Sequence, residues 1–277
     1  MTNIESAVAR HYGSAGLLDR ILAGLEASGV DPGRARPEDL APVDEFHIGG
    51  REATVHAVAK MSPRPGQRVL DVGCGIGGAA RYLAAEIGCR VSGIDLTPEY
   101  IAAARALTDL TGLGDKVDYE VAGALAMPFK DATFDAAITI HVAMNIADRA
   151  GLYREISRVT KPGAAFCVYD VMRKNDAPLV FPVPWAASPE TSHLTTPEEM
   201  RTHLDAAGFA VEEVEDRSEV ARDFFHRRLA AAKDGPPPLG PHLVMGESAG
   251  EKLRNVLVNI EAGRIAPVLM LARRKAG

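Results

Sequence analysis

The chain has 277 residues, 47% of them hydrophobic and 25% charged, ordinary globular proportions that exclude a collagen-like repeat, a disordered tail or a small disulfide scaffold. With 31 basic against 37 acidic side chains and a net charge of −6, neither nucleic acid nor an anionic membrane is expected as a partner. Three cysteines without metal-like spacing (Cys74, Cys89 and Cys167) and an N-terminus lacking signal-peptide character predict a reduced, cytoplasmic setting and no bound metal.

Residues 4–29 place apolar side chains at helical spacing and predict one or two amphipathic helices. Three prolines in 31–42 predict a loop, and 51–61 predicts another helix. Strands and helices then alternate. Strands are predicted at 68–72, 90–94, 117–121, 134–140 and 164–171, with helices at 77–87, 98–111 and 148–160. That rhythm predicts an α/β fold, a doubly wound, Rossmann-like, mostly parallel sheet. The stretch 172–196, rich in proline around the only tryptophan, Trp185, breaks the rhythm and reads as a lid over a substrate. Helices at 197–207, 219–232 and 243–261 and strands at 209–215 and 265–272 follow, the last strand antiparallel. The expected organisation is an N-terminal helical cap over 1–62 and one α/β domain over 63–277 with an insertion at 172–196.

The chemistry concentrates where the first strand turns into a helix, in Val69-Leu70-Asp71-Val72-Gly73-Cys74-Gly75-Ile76-Gly77-Gly78. Gly73, Gly75 and Gly78 satisfy G-x-G-x-x-G, and Asp95 follows 20 residues after Gly75, a spacing suited to a carboxylate on ribose hydroxyls. Glycine here allows a tight turn and a close approach by a ligand. A nicotinamide dinucleotide is one reading. Asp71 opposes it, because its carboxylate sits where the pyrophosphate would lie, and two anions in a partly dry site repel. A ligand with a cation at that point is favoured instead. A turn serving only packing is the structural alternative, and Cys74 reads as a packing residue within it.

At these residues the chain resembles the class I S-adenosylmethionine (SAM)-dependent methyltransferases, over about residues 66–170. Gly93-Ile94-Asp95-Leu96, Ala126-Met127-Pro128-Phe129 and Glu155-Ile156-Ser157-Arg158-Val159-Thr160-Lys161-Pro162-Gly163 carry the likeness further. The resemblance implies SAM as cofactor, with Asp71, Gly73 and Gly75 beside its methionine half, Asp95 on the ribose and Leu96 on the adenine. Where the family often has Gly-Asp-Ala, this chain has Ala122-Gly123-Ala124, so the adenine end falls to Ala124, Leu125 and nearby backbone.

Three further stretches resemble a narrower group, the sarcosine/dimethylglycine N-methyltransferases and related small-molecule enzymes. They are Asp44-Glu45-Phe46-His47-Ile48-Gly49-Gly50, His141-Val142-Ala143-Met144-Asn145-Ile146-Ala147-Asp148 and Pro182-Val183-Pro184-Trp185-Ala186. The implied activity is methyl transfer to a small polar acceptor, foremost at nitrogen, with transfer to oxygen or carbon of a secondary metabolite as the alternative. Such chemistry needs an aligned nucleophile, an excluded solvent and, near neutral pH, a base such as histidine. His141, past the end of a central strand, and His47 are the catalytic candidates, with His141 bordering the cofactor as well. Tyr12, His47, Asn145 and Trp185 are the acceptor-binding candidates. Each has an alternative role: a structural histidine, a helix cap for Asn145, ordinary packing for Trp185. Arg51 and Arg173 are candidates for an acceptor carboxylate. His193, His203, His226 and His242 read as surface or core residues. An NAD-linked oxidoreductase and a SAM-fold module without turnover are the rival classes, and both monomer and homo-oligomer remain open.

Overall fold

A computed structural model of the chain describes residues 16–231 and 235–276. Seven strands form one sheet: β1 (Arg68–Val72), β2 (Arg90–Asp95), β3 (Val117–Val121), β4 (Phe134–Ile140), β5 (Thr160–Arg173), β6 (Phe209–Asp216) and β7 (Ile265–Arg274). Their order is β3-β2-β1-β4-β5-β7-β6. The first five are parallel, and β7 runs antiparallel between β5 and β6. Continuous apolar runs such as Val69-Leu70 and Ala136-Ala137-Ile138 are buried, as a parallel sheet covered on both faces requires.

Ten α-helices flank the sheet among the described residues: α1 (Leu17–Ala27), α2 (Pro37–Asp44), α3 (Gly50–Met61), α4 (Gly78–Tyr82), α5 (Pro98–Leu110), α6 (Arg149–Val159), α7 (Pro197–Ala206), α8 (Ser218–Ala231), α9 (His242–Met245) and α10 (Ala249–Glu261). The strands lie within a residue or two of their predicted bounds, except that β5 begins four residues early. Two expectations are corrected. The predicted loop 31–42 contains most of α2, because Pro37 sits at the first helical position, where no intrahelical N–H is required, and the Asp39 carboxylate accepts from the Arg36 N–H at 2.9 Å. The predicted helix 243–261 is two helices, broken at Gly246, whose φ of 76° a right-handed helix cannot hold. The helix after the glycine turn also changes character, its second half (Leu83–Ile87) widening to a π-turn.

Strand order reverses between β1 and β4, so a crevice opens at their C-terminal ends, where open α/β sheets bind ligands. Above it, α1 and α2 pack on α5 and α9 through Ile21, Leu25, Leu40, Tyr100 and Val244. The Arg20 guanidinium donates to the Leu243 carbonyl at 3.3 Å, tying α1 to α9. No helix among the described residues is long and apolar enough to cross a membrane.

Candidate active site

A cavity of about 370 Å³ lies in the crevice, within the size range of small-molecule sites. It brings together Asp71, Gly73, Gly75, Asp95, Leu96, Ala124, Leu125, His141, His47 and Asn145, all singled out from the sequence. They converge because β1, β2 and β4 end side by side. Tyr12 lies outside the described residues.

Asp71 is 3% exposed, and its Oδ2 has no hydrogen-bond partner among the described residues. Burial, then the neighbouring charges of Glu45 and Asp95, push its carboxyl up to about 7. Asp95 is differently held: Oδ2 accepts from the Gly75 N–H at 3.1 Å and Oδ1 from the Thr97 N–H at 2.9 Å. Each oxygen keeps a further lone pair for a ligand hydroxyl. The glycines do something the sequence did not show. A Cβ at Gly73 would stand 2.4 Å from Val142 Cγ2, and one at Gly75 would stand 3.0 Å from the Phe46 ring. The close neighbours there are side chains of the two segments that frame the cavity, so these glycines admit its walls. Burial and the charges of Asp71 and Asp95 push the Cys74 thiol well above its ordinary range, consistent with packing.

The segment carrying His47 is anchored from below. Arg81, fully buried on α4, donates to Asp44 Oδ1 at 2.6 Å and to the Ile76 carbonyl at 2.8 Å. This fixes the end of α2 over the glycine turn and delivers Glu45, Phe46 and His47 to the cavity. His47 Nε2 faces Glu45 Oε2 at 2.8 Å and Thr54 Oγ1 at 3.0 Å, and Nδ1 faces the Ile48 carbonyl at 3.3 Å. Burial pushes the Glu45 carboxyl up, but bonds and charges from His47, Thr54 and Arg51 outweigh it and hold it below its ordinary value.

His141 follows β4 in the left-handed region, φ 55°, a conformation that costs a non-glycine residue about 1 kcal/mol. The turn is pinned by its N–H donating to the Tyr169 carbonyl at 2.7 Å, and by Asp170 accepting from the Met144 N–H at 3.0 Å. Its ring lies 5.2 Å from Tyr169, and Nε2 is buried without a partner among the described residues. Burial, then the charge of His47, holds its pKa well below the ordinary 6.5, so the ring is neutral. Asn145 sits in a short turn, donating to the Val142 carbonyl; the cap of α6 is Asp148, which accepts from the Gly151 N–H at 2.8 Å.

Trp185 is 3% exposed, its Nε1 donating to Ser192 Oγ at 2.9 Å. It does not line the large cavity; Pro184 does, while Trp185 lines a second void of about 20 Å³. Both spaces are bordered by Phe46, His47, His141 and Pro184. Neither Arg51 nor Arg173 borders them. Arg51 stands 3.7 Å from Glu45 and 4.5 Å over the Tyr82 ring, and Arg173 pairs with Asp176 and Glu199. Sequence reasoning missed Glu45, Tyr100 and Met245 as cavity residues. Glu45 had a signal, standing two residues before His47.

Residues 70–168 match the methyltransferase domain family model. The chain carries a class I SAM-dependent methyltransferase domain. It is 36% identical over 112 residues to norajmaline N-methyltransferase of Rauvolfia serpentina, covering 40% of this chain and 38% of that one. It is 43% identical over 111 residues to sterol 24-C-methyltransferase of Eremothecium gossypii, covering 40% and 30%. The matched stretches are thus well under half the length of these relatives. A putative sarcosine dimethylglycine methyltransferase from Galdieria sulphuraria shares the fold, with a TM-score of 0.65, 17% identity and coverage of 81% and 84%.

The methyltransferase site fits SAM. Its methionine half carries an ammonium and a sulfonium, and the Asp71 oxygen, without a partner among the described residues, would supply an anion at that end. Asp95 keeps lone pairs that would suit ribose hydroxyls, and Leu96, Ala122 and Leu125 border the cavity with apolar surface that would suit an adenine. The match also sets aside the nicotinamide reading of the glycine turn.

Proposed function

We propose that the protein transfers the methyl group of SAM to the nitrogen of a small amine, with the neutral His141 ring receiving the proton released. SAM supplies a methyl carbon made electrophilic by its sulfonium. The observation that carries the reading is His141 Nε2, buried, unpartnered among the described residues and set past the end of β4 at the junction of the two voids. A neutral imidazole presents a lone pair there, which is what a proton acceptor needs. Phe46, Met144 and Pro184 surround the same space, and apolar surroundings favour an uncharged amine over an ammonium. The uncharged form is the nucleophile. His47, with both nitrogens facing oxygens, is a positioning residue whose ring backs His141. Asp71 and Asp95 hold the cofactor, and Met245 and Pro184 exclude water from above. The likeness to an N-methyltransferase supports nitrogen as the acceptor atom, and the likeness to a C-methyltransferase with the apolar walls makes carbon the competing choice.

The test is incubation of the protein and SAM with matched small amines, phenols and alkenes, followed by mass spectrometry. S-adenosylhomocysteine (SAH) should form together with an amine product heavier by one CH2 unit. Product on carbon or oxygen alone would overturn the nitrogen assignment, and no SAH with any class would overturn the activity.

A further inference from the structure

The void behind His141 is small but chemically distinct. Its walls include Trp185, Phe225, Leu253 and Val256, and Arg228 on α8. Neighbours of Arg228 on the same helix find carboxylates: His226 lies 3.2 Å from Glu261 and Arg227 lies 3.1 Å from Glu52. Arg228 has no hydrogen-bond or ion-pair partner among the described residues, only the Phe224 ring at 5.7 Å. Burial pulls its pKa down. His242 feels the same positive field, its pKa lowered by burial and then by Arg228. A half-buried cation facing a void without an anion is unfavourable unless a ligand brings one.

We infer that Arg228 is the acceptor's carboxylate-binding residue, the void behind His141 admitting one carboxylate oxygen while the acceptor's apolar body and nucleophile stay in the larger cavity. The volume of about 20 Å³ suits one oxygen-sized group, which favours a planar carboxylate over a bulkier phosphate. The two charged ends of the site are then complementary: carboxylates Asp71 and Asp95 toward the cationic cofactor, an arginine toward the anionic acceptor. This inference rests on the methyltransferase reading above, and it selects amino acids of some kind among the small amines.

Trp185 is the only tryptophan and lines the void, so its fluorescence reports occupancy. The full chain saturated with SAH is titrated with para-aminomethylbenzoate, para-aminomethylbenzamide and para-aminomethylphenyl phosphate. The carboxylate should bind roughly ten- to hundredfold more tightly than the amide, the range for a hydrogen bond to a charged group. Arg228→Met should erase that gap and Arg228→Lys should keep part of it, with SAH affinity by calorimetry equal in all three proteins. Failure of the wild type to bind SAH would overturn the methyltransferase reading itself. With SAH bound, any of four results would overturn the carboxylate subsite alone: equal carboxylate and amide affinities, a tighter phosphate ester, a gap persisting in Arg228→Met, or a silent Trp185.

Discussion

The rings of His47 and His141 stand 5.7 Å apart and inclined at 60°, yet of the two only His141 carries a buried nitrogen without a partner among the described residues. The His47 ring is spent on Glu45, Thr54 and the Ile48 carbonyl. One histidine is held and the other is available, and the held one helps keep the other neutral through its charge.

His141→Gln should lower kcat by roughly 10²–10⁴, the ordinary worth of a general base, and leave SAH affinity unchanged. Because burial and His47 hold the His141 pKa well below 6.5, the wild-type rate should stay flat as pH falls through that value. In His47→Gln the repelling charge is gone, so the acidic limb should move to higher pH. Steady-state profiles of the three proteins check this; a wild-type rate in His141→Gln would remove the base.

Asp71 should release a proton when the cofactor binds. Its folded pKa of about 7 lies above the ordinary 3.8, and an ammonium beside it would lower that value. Calorimetry in buffers of different ionisation enthalpy should therefore show proton release near neutrality, with affinity rising with pH. For the free protein the sign is opposite: between 3.8 and about 7 the folded state binds the extra proton, so this stabilising contribution is lost as pH rises through about 7. Asp71→Asn should thus be more stable than wild type above neutrality, yet bind SAM more weakly by about 1.5–3 kcal/mol.

Arg81→Leu should cost on the order of 3–5 kcal/mol, because it leaves the Asp44 carboxylate buried at 1% side-chain exposure without its partner. Denaturant unfolding measures the loss. Since the Arg81–Asp44 pair also seats the Glu45–His47 segment, ligand affinity measured on the remaining folded protein should fall with it.

Gly73→Ala should destabilise by about 1–3 kcal/mol through overlap with Val142 and a φ of 74°. Adding Val142→Ala should restore the part due to overlap and not the part due to the backbone. Purely additive losses in the double variant would show that the two residues do not meet.

The strands were legible because 68–72 carries Val69, Leu70 and Val72 and 117–121 alternates Val117, Tyr119 and Val121 with acidic residues, and Asp71 and Asp95 because glycine spacing marks the turn between them. Residues 37–44 were not legible as a helix: proline signals both loops and first turns, and only tertiary packing of Leu40 and Val43 decides. Arg51 and Arg173 were chosen by position along the chain, whereas Arg228 was invisible, since its meaning lies in what fails to approach it. Gly73 and Gly75 were read as room for a ligand and both line the cavity; that a Cβ at either would meet Val142 or Phe46, distant in sequence, was not legible.

The placement of β7 between β5 and β6 has a consequence for synthesis. Among the described residues β6 pairs only with β7, and β5 on that side pairs only with β7. Until residues 265–274 emerge from the ribosome, β5 presents a long open edge and β6 has nothing to join, an arrangement that invites pairing with other nascent chains. Completion of this sheet therefore waits on β7, and deleting residues 265–274 should yield aggregates rather than a smaller folded protein.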